Sequence, residues 1–240
     1  MPRFFIDTNP QASAVLDGED GRHIARSLRM QPGEEVTLCN GRGLDFRCEI
    51  TAISGDTVTV AVRETLPSQG EPALRVTVYQ GLPKSDKMDF IAQKIVETGA
   101  AALVPTMTQR CVSRPDEKAA AKKRDRWQKI AEEAAKQCGR GRIPPVLPLT
   151  DFATAIRQAA QQGDVLLCYE GGGEPLRQLI SPEQAQLSIF IGPEGGFSPE
   201  EVALAQQHGA RIASLGARIL RTETAPIVAM TAVLLLHGDF

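Results

Sequence analysis

The sequence predicts an α/β protein in which a mainly parallel sheet follows a small β domain, with domains 1–72 and 73–240. Three observations predict it. Over residues 1–72 short β-branched, alternating runs are separated by turn residues. From residue 73 onward strands alternate with amphipathic helical stretches, which is the rhythm of a parallel sheet. Between them lies LPSQGEP, residues 66–72, a linker rich in Pro, Ser and Gly.

Composition narrows the class. With 240 residues the chain has ample core for one large domain or two smaller ones. The start, MPRFFIDTNP, lacks an apolar run of signal-peptide length, and the longest such run, 227–236, is too short to span a bilayer. A cytoplasmic protein with no membrane partner is expected. The five cysteines (39, 48, 111, 138 and 168) are odd in number and widely spaced, and the three histidines are isolated. Neither a disulfide framework nor a metal site is expected. A net charge of −2 hides an uneven distribution, because residues 110–142 hold eleven Lys and Arg against five acids. Such a stretch suits a polyanion, although a solvated helix face explains many charge runs.

Taken in order, residues 36–39, 44–52 and 57–62 are strands, joined by the turn signals NGRG and SGD. Before them, a helix over 21–29 would put Arg22, Arg26 and Arg29 on one face, where they could read phosphates. The first 72 residues contain seven basic and eleven acidic residues, so any such patch is local. Next comes a strand at 75–82, then a helix capped by Ser85, striped by Met88, Ile91, Ala92 and Ile95 and stopped at Gly99. After the strand 101–106, a basic helix over 116–138 turns Trp127, Ile130, Ala131, Ala134 and Cys138 inward. A helix at 151–161 and a strand at 165–169 lead to the glycine loop 170–174. The run 188–191 is a buried strand ending in Gly192, Gly195 and Gly196, after which Ser198, Pro199 and Glu201 form a capping-box helix start. Strand 211–215, loop 216–225 and an apolar helix at 226–237 close the chain. That helix is apolar on almost every side, with Val233 expected outward, and is expected to bury itself in a core or against a second subunit.

Loops after parallel strands gather on one sheet edge, so the loops 170–174, 192–197 and 216–225 are expected to wall a single pocket. They lack the spacing G-x-G-x-x-G and the G-K-[ST] of a P-loop. The pocket alone does not identify its ligand.

Four segments, IGPEGGFSPEE, LGARILRTETA, KSDKMDFIAQKIVETGA and RWQKIAEEAAKQCGRGRIP, together with HIARSLRM near the start, resemble the ribosomal RNA small subunit methyltransferase E family of the SPOUT superfamily. Thr98 and Cys138 stand where leucine and serine are usual in that family. The resemblance implies a PUA-like RNA-binding β-barrel over 1–72 and a SPOUT methyltransferase domain over 73–240, whose parallel sheet ends in a trefoil knot. It implies a homodimer that uses S-adenosylmethionine to methylate N3 of one uridine in the 16S ribosomal RNA of the small ribosomal subunit. The cofactor would then lie against Tyr169, Glu170, Gly192, Pro193, Gly195, Gly196, Leu215, Gly216, Ile219, Leu220 and Thr224. Arg221 is the candidate for stabilising the developing anion, with Glu223 or Glu194 as candidate bases. An ion pair from Arg221 to Glu223 or to a second subunit is the structural alternative. Arg140 and Arg142, with Arg22, Arg26 and Arg29, are candidates for gripping RNA phosphates; Lys84, Lys87 and Lys94 rank below them. Two rivals stand beside this reading: a ribosome-assembly factor without cofactor affinity, and an enzyme acting on nucleotide phosphates that would bind ATP or NAD.

Overall fold

A computed structural model describes residues 1–239 and resolves two compact units, Met1–Glu71 with Ala135–Ile143, and Pro72–Ala134 with 144–239. A boundary at 72/73 leaves 135–143 in the second part, whereas the chain packs it with the first. Glu71 is the reason. Its carboxylate accepts hydrogen bonds from the Arg140 guanidinium (2.6 Å) and from the backbone amides of Gly141 (3.0 Å) and Arg142 (3.1 Å).

In the first unit the elements are β1 (Arg3–Phe5), β2 (Ser13–Leu16), α1 (Gly18–Arg22) running into a π-helical turn over His23–Ser27, β3 (Glu35–Cys39), β4 (Leu44–Ser54) and β5 (Thr57–Pro67). The sheet order is β1-β3-β4-β5-β2, and only β1 and β3 pair in parallel. Register shifts at Arg47/Cys48 and Ile50/Ala52 mark bulges, which bend strands. Phe4, Ile24, Val36, Leu38, Phe46 and Ile50 fill the core of this unit. Arg29 departs from expectation. It lies beyond the helical turn with φ +53°, so it does not continue the face of Arg22 and Arg26.

The second unit contains β6 (Arg75–Gly81), α2 (Lys87–Glu97), β7 (Ala102–Met107), α3 (Glu117–Cys138), β8 (Thr150–Asp151), α4 (Phe152–Gln162), β9 (Asp164–Cys168), β10 (Glu174–Pro175), β11 (Gln186–Ile191), α5 (Pro199–Gln207), β12 (Arg211–Ser214) and α6 (Ala225–His237). The last turn of α3 belongs to the first unit. All seven strands are parallel, in the order β10-β12-β9-β11-β6-β7-β8. Central strands such as β11 are buried on both faces, as a sheet covered by helices on both sides requires. On one side Phe152 and Ile156 of α4 meet Tyr79, Phe190 and Phe197; the Tyr79 and Phe190 rings stack at 4.3 Å. Elsewhere in this unit α6 packs against α2, β6 and β11.

Three details of the helices differ from the sequence reading. Asp86 rather than Ser85 precedes α2, with Ser85 at φ +56°. Cys138 is exposed and Ile130 only half-buried, because the inward stripe of α3 runs through Trp127, Ala131, Ala134 and Ala135. Val233 is fully buried, and the outward positions of α6 are Val228, Leu235 and Leu236.

Candidate functional site

Strands β12, β9 and β11 are neighbours, so their following loops emerge side by side at one edge. Together these loops wall a cavity of about 570 Å³, within the range of small-molecule sites. Every cofactor candidate named from the sequence lines it except Thr224, which is exposed at the start of α6 and lies off the cavity. Apolar wall comes from Ile191, Pro193, Leu215, Ile219 and Leu220; Gly192, Gly195, Gly196 and Gly216 add bare main chain, and Lys87, Glu170, Glu194, Arg218 and Arg221 add charge. Ile219 is 87% exposed, an apolar side chain left bare at the rim.

Two glycines are there for space. Gly196 has φ +65°, and a Cβ on it would collide with the Glu170 carboxylate, so the loop after β9 lies directly on the loop after β11. At the end of β6, a Cβ on Gly81 would come within 2.6 Å of the Pro193 nitrogen. Close backbone approach of this kind leaves main-chain donors and acceptors at the cavity wall. Ser198 and Glu201 form the expected capping box, with Glu201 Oε2 accepting from Ser198 N at 2.9 Å. The same carboxylate also accepts from the Gln109 amide at 2.8 Å, which ties this helix start to the chain after β7.

The loops are pinned by groups that the sequence reading missed or ranked low. Gln80, fully buried in β6, donates from Nε2 to Thr222 Oγ1 (3.0 Å), and Thr222 donates to the Gly192 carbonyl (2.7 Å). Lys87, at the start of α2, places Nζ 3.1 Å from both Glu194 and Glu223. Its position directly after the carboxyl end of β6 was the available signal, since that is the same sheet edge. Gln80 had a signal too: a polar residue near the end of the apolar run RVTVYQG. Arg110 Nη1 donates to the Gly195 carbonyl at 2.8 Å.

Charges follow from these contacts. Hydrogen bonds that the Lys87 ammonium donates to Glu223 and then to Glu194 raise its pKa above the ordinary value. For both Glu194 and Glu223, partial burial would raise the pKa, but their own backbone amides and Lys87 outweigh it and the net shift is downward. A lowered carboxylate is a weaker base, which counts against either acid as a proton acceptor. Arg221 lines the cavity and is exposed, and its guanidinium makes no hydrogen bond or ion pair among the described residues; its charge contributes to the lowering of Glu223. Cys168 also lines the cavity, but burial pushes its thiol up to about 12, so it is no nucleophile near neutral pH.

Of the proposed phosphate-gripping arginines, Arg22 and Arg26 converge on one carboxylate, Asp56, at 3.3 and 2.7 Å. Arg140 is corrected. It is 4% exposed and held by Glu71 as a buried structural pair, which removes it from any surface. Arg142 is exposed. Among the described residues no group of three or more His, Cys, Asp or Glu is placed to hold a metal, and no helix is long and apolar enough to cross a membrane.

A family model described as RNA methyltransferase domain matches residues 70–234, and one described as RNA methyltransferase PUA domain matches 16–63. The chain is 35% identical over 255 residues to the ribosomal RNA small subunit methyltransferase E of Bacillus subtilis, covering all of both chains. Among solved structures it resembles the ribosomal RNA small subunit methyltransferase E of Neisseria gonorrhoeae bound to S-adenosyl methionine, with a TM-score of 0.89, 32% identity and 98% of each chain covered. A methyltransferase from Legionella pneumophila in complex with the same cofactor gives a TM-score of 0.85 and 32% identity, over 97% of this chain and 96% of that one.

Proposed function

We propose, from the premise that this chain belongs to the ribosomal RNA small subunit methyltransferase E family, that it methylates N3 of a specific uridine in 16S ribosomal RNA with S-adenosylmethionine as donor. The observation that carries the reading is the convergence of the three loops on one cavity. Its apolar walls suit an adenine ring, its glycine main chain offers hydrogen-bonding groups to the ring's edge, and Glu170 offers negative charge to a cationic ligand. Bound there, the cofactor would supply a sulfonium methyl group.

Transfer would form the N3–CH₃ bond as the S–CH₃ bond breaks, sulfur keeping that electron pair, and the N3 proton would pass to solvent water. In such a displacement the protein chiefly positions the two reactants. Arg221, exposed at the cavity with no partner among the described residues, is available to the negative charge that builds on the uracil imide. Glu194 and Glu223 serve better as braces around Lys87 than as bases, because their lowered pKa makes taking the proton uphill. N3 lies on the pairing edge, so the target uridine must be unpaired or extruded.

In this reading the protein works in the cytoplasm as a homodimer, with the exposed side chains of α6 against a second copy and the carboxyl-terminal loops forming the family's trefoil knot. Titration calorimetry with S-adenosylmethionine, ATP and NAD tests the assignment. Binding of S-adenosylmethionine alone is expected, with loss of that binding in a folded Gly196→Val protein. Affinity for ATP or NAD instead, or an unaffected Gly196→Val protein, would contradict it.

A further inference from the structure

An isolated antiparallel bridge pairs Arg42 with Arg142, one hundred residues apart in the chain, within the first unit. The hydrogen bond from the Gly43 amide to the Gly141 carbonyl (3.1 Å) joins the residues flanking the pair, so Arg42 and Arg142 occupy a non-hydrogen-bonded position. At such positions facing residues come closest and their side chains leave on the same side, with Cβ atoms about 5 Å apart. Like charges placed this way are destabilising.

The acids nearby do not relieve the repulsion. Asp45 is engaged by both terminal nitrogens of Arg3, at 2.7 and 2.6 Å, and Glu71 by Arg140 at 2.6 Å. Each acid is thereby matched to another arginine. Arg42 and Arg142 are both exposed, and neither guanidinium has a hydrogen bond or ion pair among the described residues. The Glu71 clamp on the amides of Gly141 and Arg142 holds the backbone of this pair in place, so the geometry does not depend on the two side chains.

We propose that Arg42 and Arg142 form a two-arginine clamp for a backbone phosphate of the RNA substrate. Guanidinium forks match phosphate oxygens in bidentate geometry, and a phosphate between the two would convert their repulsion into attraction. The clamp rests on the RNA methyltransferase reading above and adds to it a point at which the RNA is held.

The test is the salt dependence of binding to a 16S ribosomal RNA transcript, measured on the full chain. For Arg42→Ala with Arg142→Ala, the slope of log affinity against log salt should flatten by about 0.7 to 0.9 for each arginine lost. Arg47→Ala with Arg63→Ala is the control: it removes the same charge from exposed arginines already paired with Glu64 and Glu49. Its slope should stay near the wild-type value. An unchanged slope in the Arg42/Arg142 variant, or equal flattening in the control, overturns the clamp while leaving the methyltransferase reading intact. Wild-type protein without measurable RNA affinity would overturn both. Calorimetric affinity for S-adenosylmethionine should remain within about twofold in every variant, which separates loss of the clamp from loss of the fold.

Discussion

At Lys87 one ammonium, 3.1 Å from each of two carboxylates, ties the loop after β11 to the loop after β12 through the start of α2. The contact is about one-third exposed, so its value lies less in stability than in holding two pocket walls in register. Lys87→Met should weaken S-adenosylmethionine binding at least about fivefold, the lower end of ordinary coupling between sites, and Lys87→Arg should restore most of it. Acid gives a sharper readout. Both carboxyls have pKa values lowered from 4.5, so their contribution is complete above that value and is lost only as pH falls through the lower, folded-state values. Cofactor affinity should therefore be flat between about pH 6 and 9, and its acid limb should move to higher pH in Lys87→Met. An unmoved limb would reduce Lys87 to a surface charge. Only part of this was legible beforehand: the glycines and the capping box announce themselves by spacing, whereas the place of Lys87 just after β6 puts it at the right sheet edge without telling which two distant loops meet it. Arg140 illustrates the converse, since its partner Glu71 lies 69 residues away and nothing local distinguishes it from Arg142.

Among the elements, α6 was recognised as a helix but not in its orientation. A segment apolar on nearly all sides has no polar face to give its phase, so sequence periodicity could not decide that Val233 points inward and Leu235 outward. Strands β8 and β10, two residues each, are too short for alternation to appear, and the three-residue β1 fares little better. The outward row on α6 nonetheless yields a prediction. Leu235 is 63% exposed. Leu235→Glu should leave the fold intact, shift the protein to monomer in analytical ultracentrifugation and abolish methylation, because α6 follows directly on the loop that holds Arg221. Val233→Glu, with its carboxylate buried without a partner, should instead fail to fold, at a cost of several kcal/mol. A Leu235→Glu dimer would remove α6 from the interface.

For the whole molecule, the alternation of strands and helices was enough to predict the parallel sheet, and the common edge of the three loops followed from it. Strand order did not follow, nor did the capture of 135–143 by the first unit, because both depend on contacts between residues far apart in sequence. The basic stretch shows the effect. Read as one charged run it looks like a single surface, but the fold divides it between units, buries Arg140, commits Arg110 to the Gly195 carbonyl and ties Arg126 to Asp89. Charge available to RNA is therefore a property of the folded units and cannot be counted along the chain. The central claim, transfer of a methyl group to uridine N3, is tested most directly by incubating the protein with small ribosomal subunits lacking the modification and methyl-labelled S-adenosylmethionine, then digesting the 16S ribosomal RNA to nucleosides for mass spectrometry. Label is expected in the 16S ribosomal RNA, all of it as N3-methyluridine from one position. Label on another base or another atom, or none despite calorimetric binding of the cofactor, would contradict it.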